Sequence, residues 1–414
     1  MVSAAEPPWH EADPIGQADY RSIRREMMFD HFKWDPQMQD VATLGRTPLV
    51  LRRGAWHTLR RHAEALYSET LAIERTLLDR PAMLGRLGLP RRVRRLLQRS
   101  RAGSASVSGP RMMRFDFHHT PEGWRVTEVN SDVPGGQIEA GAYTALVAGR
   151  VVGAVPTGDP VSVLIDSLPP YIEPPGQIAL VYATAYSDDA QVMFYLAREL
   201  DAAGYEVTHC GPDHPACWVA GLAMRFYPAE WLANLPRDSA WSRFFVDGPV
   251  PMTNPGTALI TQSKRWPLVM DRLGVDAPAW RALMPPTRGA ERRRLGEAGW
   301  VFKPALGRVG GGIGMTGCTS ADDWRKIRRA VRFNPRNWVM QARFEQTPWQ
   351  TSEGPRFPCV GVYVIDGKAA GVYGRASGHG LVDHSAVDLA VLVEAPSADR
   401  PILKEEVRPC ASMW

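Results

Sequence analysis

The most informative polar residues of the sequence lie on two alternating runs, 112–119 and 124–130, separated by Thr-Pro-Glu-Gly. Two alternating runs around a short turn sequence are typical of a β-hairpin. If Gly123 closes a three-residue loop centred on Glu122, the facing residues of the two strands follow by counting outward from the turn. The pattern therefore predicts both a hairpin and its register.

The predicted register sets Asp116 opposite Glu128 and Arg114 opposite Asn130, with all four on one face. Opposed side chains have Cβ atoms about 4.5–5.5 Å apart, and two carboxylates at that separation repel each other unless a cation lies between them. Aspartate, glutamate and asparagine offer only hard oxygen ligands, which suit Mg²⁺ or Mn²⁺ held partly by substrate phosphates rather than zinc. The alternative is an exposed polar face of an edge hairpin, on which Arg114 neutralises the acids.

A glycine-rich loop follows an apolar run that ends at Lys303-Pro304. Five of the eight residues from Gly307 to Gly314 are glycine, so the backbone can approach a ligand closely and its N–H groups can form an anion-binding nest. Lys303 could add a point charge to the same phosphates. The loop is neither a Walker A motif nor a dinucleotide fingerprint. A flexible surface hairpin is the alternative.

Other catalytic motifs are absent or ambiguous. The sequence has no H-E-x-x-H and no G-x-S-x-G motif, and its first cysteine is Cys210, so no thiol nucleophile lies before that position. The histidines at 118–119 and 379–384 lack the spacing of a helical metal site and are assigned to strands or the surface. Arg375, at the end of an apolar strand pair, is a candidate partner of a transferring phosphate, with a structural ion pair as the alternative.

Length and composition bound the class of protein. The 414 residues are 44% hydrophobic with a net charge of +5, which indicates two or three globular units and excludes a disordered or fibrous chain. That charge is too balanced to indicate a nucleic-acid partner. The most apolar stretch, 141–156, contains Arg150 and is shorter than a membrane span, and no signal peptide is visible. Five cysteines without paired spacing fit a reducing compartment, so we expect a cytoplasmic protein with no membrane partner.

The elements that carry these residues can be predicted in outline. Helices are expected over 18–101, followed by a Gly/Ser-rich linker at 102–110. The order strand, helix, strand at 178–183, 188–203 and 205–210 indicates a βαβ unit with a parallel sheet. The remaining predictions are helices at 54–78, 91–101 and 137–147, a strand at 338–342, and a hairpin at 359–375 that turns at Asp366-Gly367.

With these residues in place, the chain resembles the synthetase part of the glutathionylspermidine synthase family, a branch of the ATP-grasp carboxylate–amine ligases. Seven segments match in the family's order between about residues 110 and 390, an agreement that is hard to obtain by chance. They are Arg114-Phe115-Asp116, Glu128-Val129-Asn130-Ser131-Asp132-Val133-Pro134 running to Glu139-Ala140, Phe226-Tyr227-Pro228-Ala229-Glu230-Trp231, Ser263-Lys264, Lys303-Pro304-Ala305-Leu306-Gly307-Arg308, Val339-Met340-Gln341 and Gly371-Val372-Tyr373-Gly374-Arg375.

The resemblance implies an α/β fold of the ATP-grasp type, with a Rossmann-like βαβ domain on the substrate side and a helical N-terminal region. It divides the chain into a helical region at 1–101, the metal hairpin and its following helix at 102–165, the βαβ domain at 166–250 and the nucleotide-binding region at 251–414. Because no cysteine precedes Cys210, the N-terminal cysteine amidase of the bifunctional family members is expected to be absent.

The resemblance also implies roles for individual residues. Asp116, Glu128 and Asn130 match the family's magnesium ligands, in agreement with the hairpin register. Arg114 and Arg375 match catalytic arginines that bind the phosphates, the activated acyl group and the transferring phosphate. The nucleotide is expected to contact Lys264, Lys303, Gly307, Arg308, Gly310, Gly311, Gly312 and Gln341.

The sequence departs from the family's usual pattern in two places. The loop has Val309 where an acidic residue is usual, and Val133 and Gly135 stand where the family commonly has threonines. Neither change removes an implied metal ligand or lysine. The departures leave open whether the acid and the amine are glutathione and spermidine.

The function expected on this basis is an ATP-dependent ligase that converts a carboxylate to an acyl phosphate for attack by an amine. ATP and Mg²⁺, or Mn²⁺, are the expected cofactors, and the partners are a small-molecule or peptide carboxylate and an amine acceptor. The alternatives are a ligase that modifies a peptide or natural product with other substrates, and a catalytically silent nucleotide-binding protein. A nucleic-acid binder that uses 91–101 is a third hypothesis, and strong salt dependence of polyanion binding would distinguish it.

Overall fold

The computed structural model describes residues 6–396 except 11, 36, 39–40, 101–104, 106–107, 237 and 308–310. Within these residues the strands, numbered in chain order, are β1 (Trp9–His10), β2 (Gln37–Met38), β3 (Val41–Ala42), β4 (Leu49–Leu51), β5 (Met112–Thr120), β6 (Gly123–Asn130), β7 (Ala154–Pro156), β8 (Gln177–Val181), β9 (Glu206–Cys210), β10 (Leu222–Arg225), β11 (Met252–Thr253), β12 (Thr287–Gly289), β13 (Trp300–Pro304), β14 (Gly314–Met315), β15 (Trp338–Ala342), β16 (Trp349–Thr351), β17 (Gly354–Ile365), β18 (Lys368–Ser377), β19 (Val387–Leu389) and β20 (Val391–Glu394).

The helices of the same residues are mostly short. The α-helices are α1 (Gln17–Phe29), α2 (Arg53–Leu78), α3 (Arg91–Arg99), α4 (Thr144–Ala148), α5 (Pro160–Asp166), α6 (Ser187–Ala202), α7 (Ala229–Leu232), α8 (Leu259–Gln262), α9 (Met270–Leu273), α10 (Pro278–Leu283) and α11 (Ala321–Phe333), with a π-helical turn at Glu139–Tyr143. Short 3₁₀ turns lie at Pro81–Arg86, Pro215–Trp218, Trp241–Phe244, Gly256–Ala258, Trp266–Val269, Arg292–Arg294 and Pro335–Asn337. No helix among the described residues combines the length and apolar character that a bilayer span requires.

A six-stranded antiparallel sheet carries the predicted hairpin. Its order is β19-β18-β17-β5-β6, with β16 paired to β17. On β5, Met113, Phe115 and Phe117 are buried in the main hydrophobic core, so the residues between them face the opposite side. Helix α2 packs into the same core along a stripe that includes Leu59 and Leu66, one helical heptad apart. The apolar alternation of β5 therefore fixes which face its polar residues present.

The turn of the hairpin differs from the expected three-residue loop. Thr120 pairs with Gly123, which leaves only Pro121 and Glu122 in the turn. A register shift follows between Asp116 and Phe117, where Thr127 of β6 has no partner, as in a β-bulge. The predicted loop was one residue too long, and the sequence contained no signal for the bulge.

The shorter turn and the bulge at Thr127 shift the register in opposite directions, so their effects cancel at residues 114–116. Asp116 pairs with Glu128 and Arg114 pairs with Asn130, so the predicted register is confirmed for these four residues. Because β5 lies between β6 and β17, the hairpin is not an isolated edge ribbon. Asp116 is only 7% exposed, so this face is not the solvent-exposed one of the alternative, although Arg114 does pair with Asp116 as that alternative expected.

A second antiparallel sheet has four strands, ordered β12-β15-β13-β14. Phe302 of β13 and Met340 of β15 pack against Ile327 and Val331 of α11 in a separate small core. Their neighbours along the strands, among them Lys303, point to the other face because side chains alternate along a strand. The strand predicted at 338–342 is confirmed.

A parallel sheet, ordered β11-β10-β8-β9, confirms the predicted βαβ unit of β8, α6 and β9. A fourth sheet, ordered β1-β4-β20-β7, joins the N-terminal part of the described chain to its C-terminal part through the parallel pair β4 and β20. The hairpin of β5 and β6 and the strands β16 to β19 share the six-stranded sheet, so the second and fourth predicted regions meet in one sheet. The four boundaries themselves stay predictions, and most of the linker expected at 102–110 lies outside the described residues.

Candidate functional site

A cavity of about 720 Å³ lies between the six-stranded and the four-stranded antiparallel sheets. Loops after the carboxyl ends of β8 and β10 and the segment after α1 complete its walls. Most of the expected site residues line it, namely Arg114, Asp116, Glu128, Asn130, Lys264, Lys303, Gly307, Gly311, Gln341 and Arg375. Residues separated by more than 200 positions in the sequence thus face one common space.

Asp116 is held from two sides by its hairpin neighbours. Arg114 donates from Nε to Oδ1 at 2.8 Å and from Nη2 to Oδ2 at 3.1 Å, and Asn130 donates from Nδ2 to Oδ2 at 3.0 Å. The guanidinium of Arg114 also lies 4.9 Å from the centre of the Tyr373 ring. These contacts orient the carboxylate and balance its charge.

The oxygen atoms of Asp116, Glu128 and Asn130 fit a hard divalent cation. Asn130 uses its amide N–H on Asp116, so its carbonyl oxygen is the atom that it can offer to a metal. Within the described residues, no group of three or more His, Cys, Asp or Glu side chains is placed to hold a metal ion. The candidate ligands Asp116, Glu128 and Asn130 are two carboxylates and one amide. With so few protein ligands, phosphate oxygens would have to complete the coordination, as is usual for Mg²⁺.

Two lysines face the hairpin across the cavity. Lys264 Nζ lies 3.0 Å from Glu128 Oε2, and Lys303 Nζ donates to Gln341 Oε1 at 2.8 Å. Burial lowers the pKa of Lys303 to about 8, with Glu128 opposing the shift and Lys264 adding to it. Burial alone would raise the pKa of Glu128, but the two ammonium groups outweigh it and bring this pKa down to about 2. The site therefore has cationic groups ready for a polyanion.

The glycine-rich loop closes one side of the cavity. Gly307 accepts a hydrogen bond from Lys264 Nζ at 3.3 Å through its carbonyl oxygen. A Cβ atom on Gly307 would lie 2.6 Å from Cγ of Pro304, which explains the glycine at this close approach. Gly312 has a φ of +72° and does not line the cavity. Arg308 and Gly310, also expected at the nucleotide, lie outside the described residues.

Arg375 lies on β18 opposite Cys359 of β17, and both residues line the cavity. Its Nη2 donates to the carbonyl oxygen of Asp383 at 2.7 Å, and its Nε is buried without a hydrogen-bond partner. Asp388, opposite Arg375 on β19, has Oδ1 3.7 Å from that Nε. Tyr373 donates its hydroxyl to the same Oδ1 at 2.7 Å. Arg375 thus lines the cavity without a close hydrogen bond to the carboxylate beside it.

Several cavity residues were missed or misassigned from the sequence. His118, expected as a strand or surface histidine, does lie on strand β5, but it is a buried residue of the cavity wall, and its Nδ1 lies 3.0 Å from Gln346 Oε1. Its position two residues after Asp116 on the same strand face was the available signal. Burial, with the Lys303 ammonium nearby, lowers the pKa of His118 to about 4. Lys33 and Asp388 carried no motif, and nothing in their local sequence indicates the cavity.

Comparison with known proteins places these features in context. The family described as glutathionylspermidine synthase pre-ATP-grasp matches residues 49–391. No protein among the curated sequences matches the chain. A solved structure of a glutathione synthetase-like effector from Globodera pallida is similar over 90% of this chain and 96% of its own, with a TM-score of 0.58 and 11% identity. A protein assigned as a γ-glutamylcysteine synthetase from Methylobacillus flagellatus shares 13% identity over 76% of this chain and 84% of its own, with a TM-score of 0.40. The expected α/β fold of the ATP-grasp type is confirmed.

Proposed function

The chain belongs to the glutathionylspermidine synthase pre-ATP-grasp family, and we propose from this premise that it is an ADP-forming ligase that joins a carboxylate to an amine. The observation that carries the proposal is the convergence of two acids, Asp116 and Glu128, with two lysines, Lys264 and Lys303, on one cavity. A nucleoside triphosphate with its metal has the matching charge pattern, because its phosphates can bind lysines and a shared divalent cation at once.

The nucleotide would lie between the two antiparallel sheets. Lys303 and Lys264 would bind its phosphates, while the backbone around Gly307 and Gly311 covers them. Gln341, on the strand next to Lys303, is proposed to contact the base side of the nucleotide. Asp116, Glu128 and Asn130 would hold magnesium, which when bound neutralises charge on the terminal phosphates.

The acyl group would lie between Arg114 and Arg375. Transfer of the terminal phosphoryl group to a carboxylate gives an acyl phosphate and ADP, and attack of an amine on the acyl carbon then forms the amide and releases phosphate. A guanidinium on each side can stabilise the negative charge that develops during both steps. No protein nucleophile is needed, and the buried thiol of Cys359 on the cavity wall has a pKa raised by burial, which disfavours the thiolate.

The acyl substrate is proposed to differ from that of the better-known family members. Val133 and Gly135 line the cavity at positions where the family commonly has threonines. The carbonyl oxygen of Gly135 accepts a hydrogen bond from Arg114 Nη1 at 2.5 Å, so this loop borders the proposed acyl site. Two hydroxyl groups fewer favour an acid with less polar contact here.

The experiment that tests the proposal uses hydroxylamine as a generic amine. The protein is incubated with ATP, Mg²⁺ and a panel of carboxylic acids and peptides, and both ADP and hydroxamate are measured. We expect one class of acids to give hydroxamate that requires ATP and Mg²⁺. Tight ATP binding without hydroxamate or ADP for any acid would identify a catalytically silent nucleotide-binding protein and refute the ligase.

A further inference from the structure

Lys33 is a buried lysine of the cavity wall that lies outside the segment matched by the family, residues 49–391. Its Nζ lies 2.5 Å from Glu139 Oε1, 3.1 Å from Asp35 Oδ1 and 3.7 Å from Asp388 Oδ2. The chain has only six lysines, and three of them line this cavity. Lys33 differs from Lys264 and Lys303 in that one of its carboxylate neighbours, Asp388, also lies near Arg375.

The contacts of Asp388 connect Lys33 to Arg375. Lys33 lies near Oδ2 of Asp388, whereas Tyr373 donates to Oδ1 at 2.7 Å and Arg375 Nε remains 3.7 Å from Oδ1. At 3.7 Å the Arg375 Nε is too far from Asp388 Oδ1 for a hydrogen bond, and this Nε has no hydrogen-bond partner. Asp388 is shared among three neighbours, two of them cations.

The balance of charge around this carboxylate depends on Lys33. Glu139 and Asp388 are both buried and acidic, and Lys33 and Arg375 are the cations that face them. Without Lys33, two buried carboxylates would share one cation, which is costly in a poorly solvated site. The least costly rearrangement is for Arg375 to move onto Asp388 and close the 3.7 Å gap to a hydrogen-bonded ion pair.

We propose that Lys33 is a positioning residue that holds Asp388 and so keeps the guanidinium of Arg375 available to the transferring phosphoryl group. This inference rests on the proposed ligase function. Burial alone would lower the pKa of Lys33, but Glu139, Asp388 and Asp35 outweigh it and raise this pKa, so the ammonium is charged at neutral pH. Burial raises the pKa of Asp388 to about 6 against the opposing effect of Lys33. The N-terminal segment thereby takes part in the site.

A purely structural role for Lys33 is the competing explanation, because the residue also ties the segment after α1 to β19. Tyr20 provides a matched control, since its hydroxyl donates to the Leu44 carbonyl oxygen at 2.5 Å and anchors α1 without touching Asp388. Y20F should lower thermal stability and leave kcat unchanged. If K33M acts only through stability, the two variants should behave alike.

The test compares K33M, K33R, D388N and K33M/D388N. Methionine keeps the length of the side chain and removes its charge, so we expect K33M to lower kcat about tenfold or more with little change in the KM for ATP. K33R should restore most of the activity. In the D388N background the carboxylate nearest to Arg375 is gone, so K33M should have little further effect on kcat there, a coupling that a double-mutant cycle measures.

Two further readouts do not depend on turnover. Calorimetry should show that K33M loses part of the preference of the wild type for ATP over ADP, because Arg375 is proposed to face the terminal phosphate. A crystal structure of K33M should show Arg375 Nε hydrogen-bonded to Asp388. An active wild type with unchanged kcat in K33M, or equal losses in both backgrounds, would overturn this inference alone. A wild type that neither binds ATP nor releases ADP would instead refute the proposed function. If K33M does not fold, the comparison of D388N with K33M/D388N decides.

Discussion

Lys264 and Glu128 form an ion pair across the cavity, with Nζ 3.0 Å from Oε2. The lysine follows α8 and the glutamate lies on β6, 136 positions earlier in the chain. The ammonium group of Lys264 thus balances the charge of Glu128 at the position where we propose that a metal binds. A metal with its nucleotide would displace the lysine from Glu128 towards the phosphates, so nucleotide and metal should bind cooperatively.

The first prediction concerns Asp116 and Glu128, two of the proposed metal ligands. D116N and E128Q should abolish magnesium-dependent ADP release, because each removes a ligand charge with almost no change of volume. Glu122 in the exposed turn of the same hairpin is the control, and E122Q should retain full activity. Circular dichroism should confirm that all three variants fold. Near wild-type ADP release in both D116N and E128Q would show that these carboxylates are not metal ligands.

The second prediction concerns Lys264 and Lys303, the two lysines proposed to bind the nucleotide. K303A and K264A should each weaken ATP binding by about 1–3 kcal/mol, the scale of a charge-assisted hydrogen bond. Lys368 is exposed at the Asp366–Gly367 turn outside the cavity, so K368A should bind ATP like the wild type. Isothermal titration calorimetry measures all three. Unchanged affinity in both cavity variants would mean that the glycine-rich loop binds something other than a triphosphate.

The third prediction concerns the pH dependence of nucleotide binding. Free protein loses the Lys303 proton as pH rises through about 8, whereas a bound triphosphate favours the charged form. ATP affinity of the wild type should therefore be constant below this pH and fall above it, by at most about tenfold per pH unit. K303R should keep its affinity constant to about pH 9.5, because a guanidinium does not lose its proton there. Parallel pH profiles for the two proteins would contradict the assignment.

The fourth prediction separates catalysis from binding at Arg375. If its guanidinium stabilises the phosphoryl group in transfer, R375A should lower kcat far more than it raises the KM for ATP. Arg356 does not line the cavity, and its Nη2 lies 3.1 Å from Glu353 Oε2. R356A is therefore expected to leave both kcat and the KM for ATP unchanged. The hydroxamate assay supplies the rates. A rise in KM at constant kcat would make Arg375 a ground-state ligand only.

The fifth prediction concerns the contribution of the buried Arg225–Asp132 ion pair to the stability of the fold. Arg225 is completely buried, and its Nη2 bonds Asp132 Oδ1 at 2.5 Å, while Oδ2 of Asp132 accepts from the Ala229 N–H at 2.9 Å. R225M leaves a buried aspartate without its cation, which should lower the free energy of unfolding by about 3–5 kcal/mol. The surface pair of Arg281 and Asp271 is the contrast, and R281M should cost less than about 1 kcal/mol. Urea denaturation measures both, and equal losses would contradict the prediction.

Sequence patterns were sufficient for many local elements and for one face of the site, but the helical region expected at 1–101 was wrong at the short strands β1 to β4. Alternation of apolar and polar residues was enough to pair Asp116 with Glu128, although the turn was expected one residue too long and Thr127 forms a bulge. Two errors of opposite sign left the register intact near the open end of the hairpin. Helix α2 and strand β15 followed their periodicity closely, because each buries one regular stripe and short-range patterns record that.

Which charges from distant segments meet depends on the packing of those segments. Lys33, Glu139 and Asp388 come from segments more than 100 residues apart, and no local pattern relates them. The same holds for Lys264 and Glu128, whose pairing requires that the two antiparallel sheets face each other. Periodicity reports which face of an element is buried, but it carries no information on which other element covers that face. The distances between charges from distant segments, and hence the pKa values of Lys303 and Asp388, arise only when the sheets and the N-terminal segment pack together.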